Sequence, residues 1–138
     1  MIYDILEKKL TDSGLVVAGQ SLFRNYMPPE CKIGVMIRTP LTGIEINPFI
    51  EGWHKTSMQV ITRHVDPVEG ARMAAHVSRL LIVEAPEKHE ASDERGPAHI
   101  NVFYPSALPI QYPRLEGNGL EFSQHFTAAF GFKPDWRS

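Results

Sequence analysis

Two periodicities meet at Asp66, and that junction restricts the fold more than any other feature of the chain. From Lys55 to Val65 the residues alternate, with Met58, Val60 and Thr62 on one side and Gln59, Ile61 and Arg63 on the other. Apolar residues on both sides fit a strand inside a sheet rather than one at its rim. At Asp66 the period becomes helical. Asp66-Pro67-Val68-Glu69 supplies a carboxylate for the free N–H groups of a first turn, a proline for the first helical position, and a glutamate three residues beyond the cap that can reach back. Gly70, Met73, Ala74, Val77, Leu80 and Leu81 then share one face, and Glu69, Arg72, His76 and Arg79 the other, which predicts a helix to about Val83 or Glu84.

Other period-two stretches fill much of the chain. Ile33, Val35 and Ile37 alternate with Gly34, Met36 and Arg38, a half-buried strand leading into a turn over Pro40–Gly43. Ile44 and Ile46 alternate with Glu45 and Asn47 up to Pro48, which predicts the second arm of a hairpin. Ile100–Tyr104 and Leu120–Phe130 read as later strands, the last with Phe122, Phe126, Ala128 and Phe130 on one side. Between them runs a proline-spaced connection through Pro105, Pro109 and Pro113, and Gly117-Asn118-Gly119 reads as a turn. Leu15–Val17 and Ser21–Phe23 are short strand candidates. At the start, Ile2, Ile5, Leu6 and Leu10 share a helical face, and Gly14 suits the left-handed position that ends a helix. At the end, the tail from Phe132 to Trp136 is expected to expose two aromatic rings.

The order helix, strands, helix, strands predicts an α+β fold: a small mixed, mainly antiparallel sheet with two main helices packed on one face. The 138 residues fit a single domain spanning 1–138. Fourteen Lys and Arg against sixteen Asp and Glu leave a formal charge of −2, which argues against a dedicated nucleic-acid binder. Cys31 is the only cysteine, so no intrachain disulfide forms, in keeping with a reducing compartment. No apolar run nears the ~20 residues that span a bilayer, and Met1-Ile2-Tyr3-Asp4 begins no secretory signal. The reading is of a soluble protein made in the cytoplasm.

Little in the sequence points to chemistry. The six histidines have no metal-ligand spacing, so neither a metal nor a cofactor is expected. Arg63, His64 and Asp66 cluster at a strand-to-helix junction, but alternation sends Arg63 and His64 to opposite faces, and Asp66 is already the helix cap. Cys31 has no evident device to depress its pKa. The stretch from Glu84 to Gly96 holds five acids, two bases and no apolar period, which predicts a long exposed loop of functional weight.

The stretch Lys32–Leu81 resembles the core of the tail terminator proteins (minor tail or head–tail joining proteins) of long-tailed bacteriophages. The matching features are the Ile33–Arg38 strand, the turn with Gly43, Ile44 and Ile46, the strand bearing Gln59–Arg63, and the Asp66 helix with its Ala74–Leu81 seam. Arg114–Phe126 is similar to that family's closing strand. The resemblance implies a non-catalytic subunit of a hexameric ring. Such a ring sits on the head-proximal end of the tail tube, stops its polymerisation and joins the head connector. It also implies assembly in the host cytoplasm and DNA passing through the lumen without specific binding.

No catalytic, cofactor or metal residue is assigned. Contacts with the tube or connector are expected from two loops, through Thr42, Glu45 and Trp53 in one and Glu87, Glu90, Asp93, Glu94 and Arg95 in the other. An acidic 84–96 loop facing the lumen would repel DNA. The alternatives are another neck or head-completion protein, or a small enzyme or ligand-binding domain with a pocket under that loop, using His99, Asn101 and His125. An adaptor that binds peptides by strand addition is the third class.

Overall fold

A computed structural model describes residues 2–50, 52–114 and 119–132. Its framework is one long antiparallel pair. Strand β3 (Trp53–His64) lies along β7 (Leu120–Phe132), in register from Trp53 opposite Gly131 to His64 opposite Leu120. β2 (Gly34–Arg38) pairs antiparallel on the other side of β3, and β1 (Leu22–Arg24) runs parallel to β2 at the rim. β5 (Ala98–Pro105) covers the opposite side of β7, with the three-residue β4 (Glu87–His89) outside it. β6 (Ile110–Pro113) continues along β7 beyond the end of β5. The sheet order is β1-β2-β3-β7-β5-β4 with β6 also on β7, a mixed and mostly antiparallel sheet. With α1 (Tyr3–Asp12) and α2 (Pro67–Leu81) it makes an α+β fold, as the sequence predicts. Among the described residues, no helix is long and apolar enough to cross a membrane.

Period two sorts the side chains. Met58 and Val60 of β3, Phe126, Ala128 and Phe130 of β7, Val35 and Ile37 of β2, and Ile100 and Phe103 of β5 are all buried on one face. There they form one cluster with Ile2, Leu6 and Leu10 of the α1 segment and Val77 and Leu81 of α2. Phe103 and Phe126 stack with centroids 4.9 Å apart. Burying each such ring contributes about 1.5–3 kcal/mol. Among the described residues, the opposite face carries no helix. At one end it is closed by a small second cluster of Met27, Met36 and Ile61 with Phe23 and Cys31. Beside that cluster Arg63 donates to Glu121 at 2.8 Å and to the carbonyls of Pro28 and Cys31. This is why Met36 and Ile61 are buried although they point away from the helices.

Asp66 caps α2 as expected, but the helix ends at Leu81 instead of near Val83 or Glu84, because the Val83 N–H goes to the Phe103 carbonyl. The Asp66 carboxylate accepts from the N–H groups of Val68 and Glu69 at 2.8 and 3.2 Å. Glu69 does not reach back to the cap; its carboxylate takes Arg72 instead, at 2.8 Å. α1 ends at Ser13 with Gly14 at φ +80°.

Several strand assignments are corrected. Ile44–Asn47 is not a strand, because β2 already has β1 on one side and β3 on the other and offers no free ladder. Leu15–Val17 is not one either: Gln20 and Ser21 donate back to the Val17 carbonyl in a turn that leads into β1. The proline-spaced connection hides β6, a rim strand whose bounding prolines cost no ladder bond there. Most of the turn over Gly117-Asn118-Gly119 and of the tail beyond Phe132 lies outside the described residues.

One substitution tests this packing. A Cβ on Gly70 would stand 2.4 Å from the Phe122 ring, a buried neighbour. By helix propensity alone, Gly70→Ala should stabilise α2 by up to about 1 kcal/mol. We expect instead a loss of about 1–3 kcal/mol from overpacking in urea unfolding; a gain would show that α2 is not seated on β7.

Candidate functional site

The stretch from Glu84 to Gly96 is not a free loop, and its charges say why. Glu87 lies in β4 and accepts from Lys9 Nζ at 2.9 Å, with the His89 ring 2.9 Å from its other oxygen. Ser92–Arg95 forms a tight turn closed by the Ser92 N–H on the Arg95 carbonyl. Arg95, only 6% exposed, ties the turn down by donating to Asp4 of α1 and to the carbonyls of Glu90 and Gly96. Glu94 pairs with Arg24, which also grips Glu7 of α1 through two bonds of 2.7 and 2.9 Å and lies over the Tyr3 ring. The segment is therefore a strap running from the β4 rim across α1 to β1. Of its expected contact residues, Glu90 and Asp93 are exposed and carry no ion pair among the described residues, whereas Glu87, Glu94 and Arg95 hold the strap.

Electrostatics follow this geometry. Burial works to raise the Glu87 carboxyl, but its hydrogen bonds from Lys9 and His89 outweigh that and hold it below its ordinary value. The bond to Arg24 lowers Glu94, and Arg24 is in turn pushed above its usual range by Glu7 and Glu94.

The loop between β2 and β3 is the second feature. Asn25, in a left-handed backbone (φ +60°), accepts from both the N–H and hydroxyl of Thr39. Asn47 Oδ1 accepts from the N–H groups of Phe49 and Ile50, Trp53 N–H donates to the Ile50 carbonyl, and Gly52 takes the Phe132 N–H. The backbone is thus held at both ends while apolar side chains stand in solvent: Leu41 is 90% exposed, Ile46 82% and Phe49 92%, with Ile50 beside them. A fixed loop that presents large apolar side chains marks a protein-contact surface. Thr42 and Glu45 are exposed in the same loop, and Trp53 begins β3 with its ring stacked on His99 at 6.0 Å. The sequence reading missed Leu41, Ile46, Phe49 and Ile50. The signal was five apolar residues, Leu41, Ile44, Ile46, Phe49 and Ile50, between Pro40 and Trp53 once Ile44–Asn47 is denied a place in the sheet.

A catalytic reading finds no such assembly. His99 lies opposite Gly131, and His125 is six residues away along β7, about 20 Å. Asn101 falls at the bulge in β5 between Ile100 and Val102. These three do not converge on one concavity. The groove of about 550 Å³ by the strap is lined by Lys88, His89, Glu90 and His99 but reaches neither Asn101 nor His125. Arg63 is buried on Glu121 while His64 Nδ1 accepts from the Asp66 N–H, so these neighbours also act apart. Among the described residues, no group of three or more His, Cys, Asp or Glu side chains is placed to hold a metal ion.

Residues 9–130 match the family described as bacteriophage tail terminator protein. The chain belongs to that family. The match runs from the last turn of α1 to Phe130, two residues before the end of β7, and so takes in the strap, the apolar loop and nearly all of the central ladder. Tail terminators are structural phage proteins, and membership makes this chain a component of the phage tail with partners in the tail tube. Among curated proteins, none matches.

The strap carries a pH signature. Glu87 and Glu94 titrate below 4.5 when folded and near it when unfolded. Their contribution is complete above the unfolded value and disappears as pH falls through the folded ones. Urea-unfolding free energy should therefore drop more steeply below pH 4.5 in the wild type than in a Glu87→Gln, Glu94→Gln variant. Parallel pH profiles would show that these carboxylates do not hold the strap.

Proposed function

We propose that this chain is the terminator subunit itself. Copies assemble as a hexameric ring on the head-proximal end of a finished tail tube, stop further polymerisation, and join the tail to the head connector. The protein would then reside in the virion at the head–tail junction after assembly in the host cytoplasm. DNA would pass through the ring lumen without specific binding, in line with a formal charge of −2. No step breaks or makes a covalent bond.

The observation that carries this reading is the anchored apolar loop within a chain that matches the family from residue 9 to residue 130. Exposed leucine, isoleucine and phenylalanine side chains cost nothing in folding when left in water, yet are a standing liability unless a partner covers them. A tube end or connector offers such a partner. We assign Thr42, Glu45 and Trp53, with Leu41 and Phe49, to that contact. Glu90 and Asp93 belong to a second contact.

Particles made without this protein test the reading directly. Tails much longer than normal and variable in length are expected by electron microscopy. Tails of normal length that stay unattached to heads would mean a neck or head-completion protein instead. A finer expectation concerns Leu41→Ser with Phe49→Ser. Both side chains are almost fully exposed, so unfolding free energy should stay within about 0.5 kcal/mol of the wild type, while length control in complemented phage is lost. Normal tails from that variant would remove the loop from the contact.

A further inference from the structure

The sheet face without helices carries unpaired positive charge. Arg38 and Lys55 lie on it, and among the described residues neither forms an ion pair. The one acid on its strands among the described residues is Glu121, and Arg63 occupies it. Under the start of the apolar loop this face opens into a groove of about 290 Å³, lined by Arg38, Leu41, Ser57, Gln59 and His125. On the helix side of the molecule an acidic turn faces solvent. There the strap's tight turn presents Glu90 and Asp93 to solvent while Glu94 and Arg95 are bound down to Arg24 and Asp4. Because its backbone is already fixed by the Ser92–Arg95 bonds, the turn loses little freedom on docking.

We infer that the Glu90–Asp93 turn of one copy docks in the Arg38 groove of the next, with Lys55 on the same face two residues along β3 from the groove's Ser57. Within one chain the two cannot meet: the turn is tied to α1 and β1 on the helix side, and the groove is on the bare side of the sheet. Two different patches on opposite sides make a head-to-tail contact, the kind that repeats from copy to copy and closes into a ring when the rotation permits. Opposed charges select this pairing over face-to-face alternatives, since two bare faces repel and so do two acidic turns. The assignment places the acidic turn between copies, not in the lumen. It rests on the ring-forming reading above for its purpose, and its own test needs only the isolated protein.

Disulfide trapping provides that test, first with every charge left in place and then with charges reversed. In a Cys31→Ser background, one protein carries Ser57→Cys, exposed beside the groove, and another carries Ala91→Cys, exposed between Glu90 and Ser92. On oxidation at low salt the mixed dimer should form roughly tenfold faster than between Ser57→Cys and Ala75→Cys, an exposed position on α2. Adding Glu90→Lys and Asp93→Lys to the Ala91→Cys partner should abolish the advantage, and Arg38→Glu with Lys55→Glu on the other should restore it. Equal rates in the two pairings, or an advantage blind to both charge reversals, would overturn the contact. If trapping fails while particles lacking the protein have overlong tails, the terminator reading stands and only this contact is wrong. If trapping succeeds while tail lengths stay normal, the copies associate as inferred and the terminator reading fails.

Discussion

The β3–β7 ladder is the constraint on which the rest depends. Among the described residues it is the longest pairing, from Trp53 opposite Gly131 to His64 opposite Leu120, and its register sends Met58, Val60, Phe126, Ala128 and Phe130 to the same face. A slip of one residue would turn every one of them to the other side. The α2 start is placed by the same ladder: β3 ends at His64 opposite Leu120, Asp66 caps the helix two residues later, and Gly70 meets Phe122 of β7. The aromatic residues of β7 thus serve as the floor for both helices, and the bare face is what the register leaves over.

Charge then finishes what apolar packing starts. β1 and β4 lie at opposite rims of the sheet, and α1 lies where both can reach it. Arg24 at one rim and Lys9 and Arg95 toward the other attach β1, α1 and the strap to each other through Glu7, Glu94, Glu87 and Asp4. Exposed ion pairs of this kind contribute little singly. Arg95 is different, since its guanidinium is buried and its bonds to two carbonyls and a carboxylate leave no donor idle at large cost. With the strap fixed, the short β4 is retained on an edge that would otherwise be open to unwanted pairing.

How much of this was legible in the residues follows from range. Asp66-Pro67, the alternation through β3 and β7, and the α1 stripe are local signals, and each produced its element. Ile44–Asn47 has an equally good local alternation and no strand, because both sides of β2 are taken by β1 and β3 and alternation alone does not rank the competing segments. β4 and β6 were invisible for the complementary reason: Glu87-Lys88-His89 and Ile110–Pro113 have no buried period and exist only through partners on β5 and β7. The same limit applied to the contact surface. Acids between 84 and 96 looked unattached because Arg24, Lys9 and Asp4, which bind this strap, lie at least sixty residues away. Exposure of Leu41 and Phe49 became visible only when the loop was seen to have no place in the sheet.

The account holds that this protein works by shape, fitting the end of a growing tube. Its most direct measurement is the length distribution of tubes grown in vitro from the tail tube protein with rising amounts of this chain present. Elongation should cease once there is about one ring per tube end, with the protein seen only at tips. Tubes that lengthen unchecked, or that bind the protein along their sides, would contradict it.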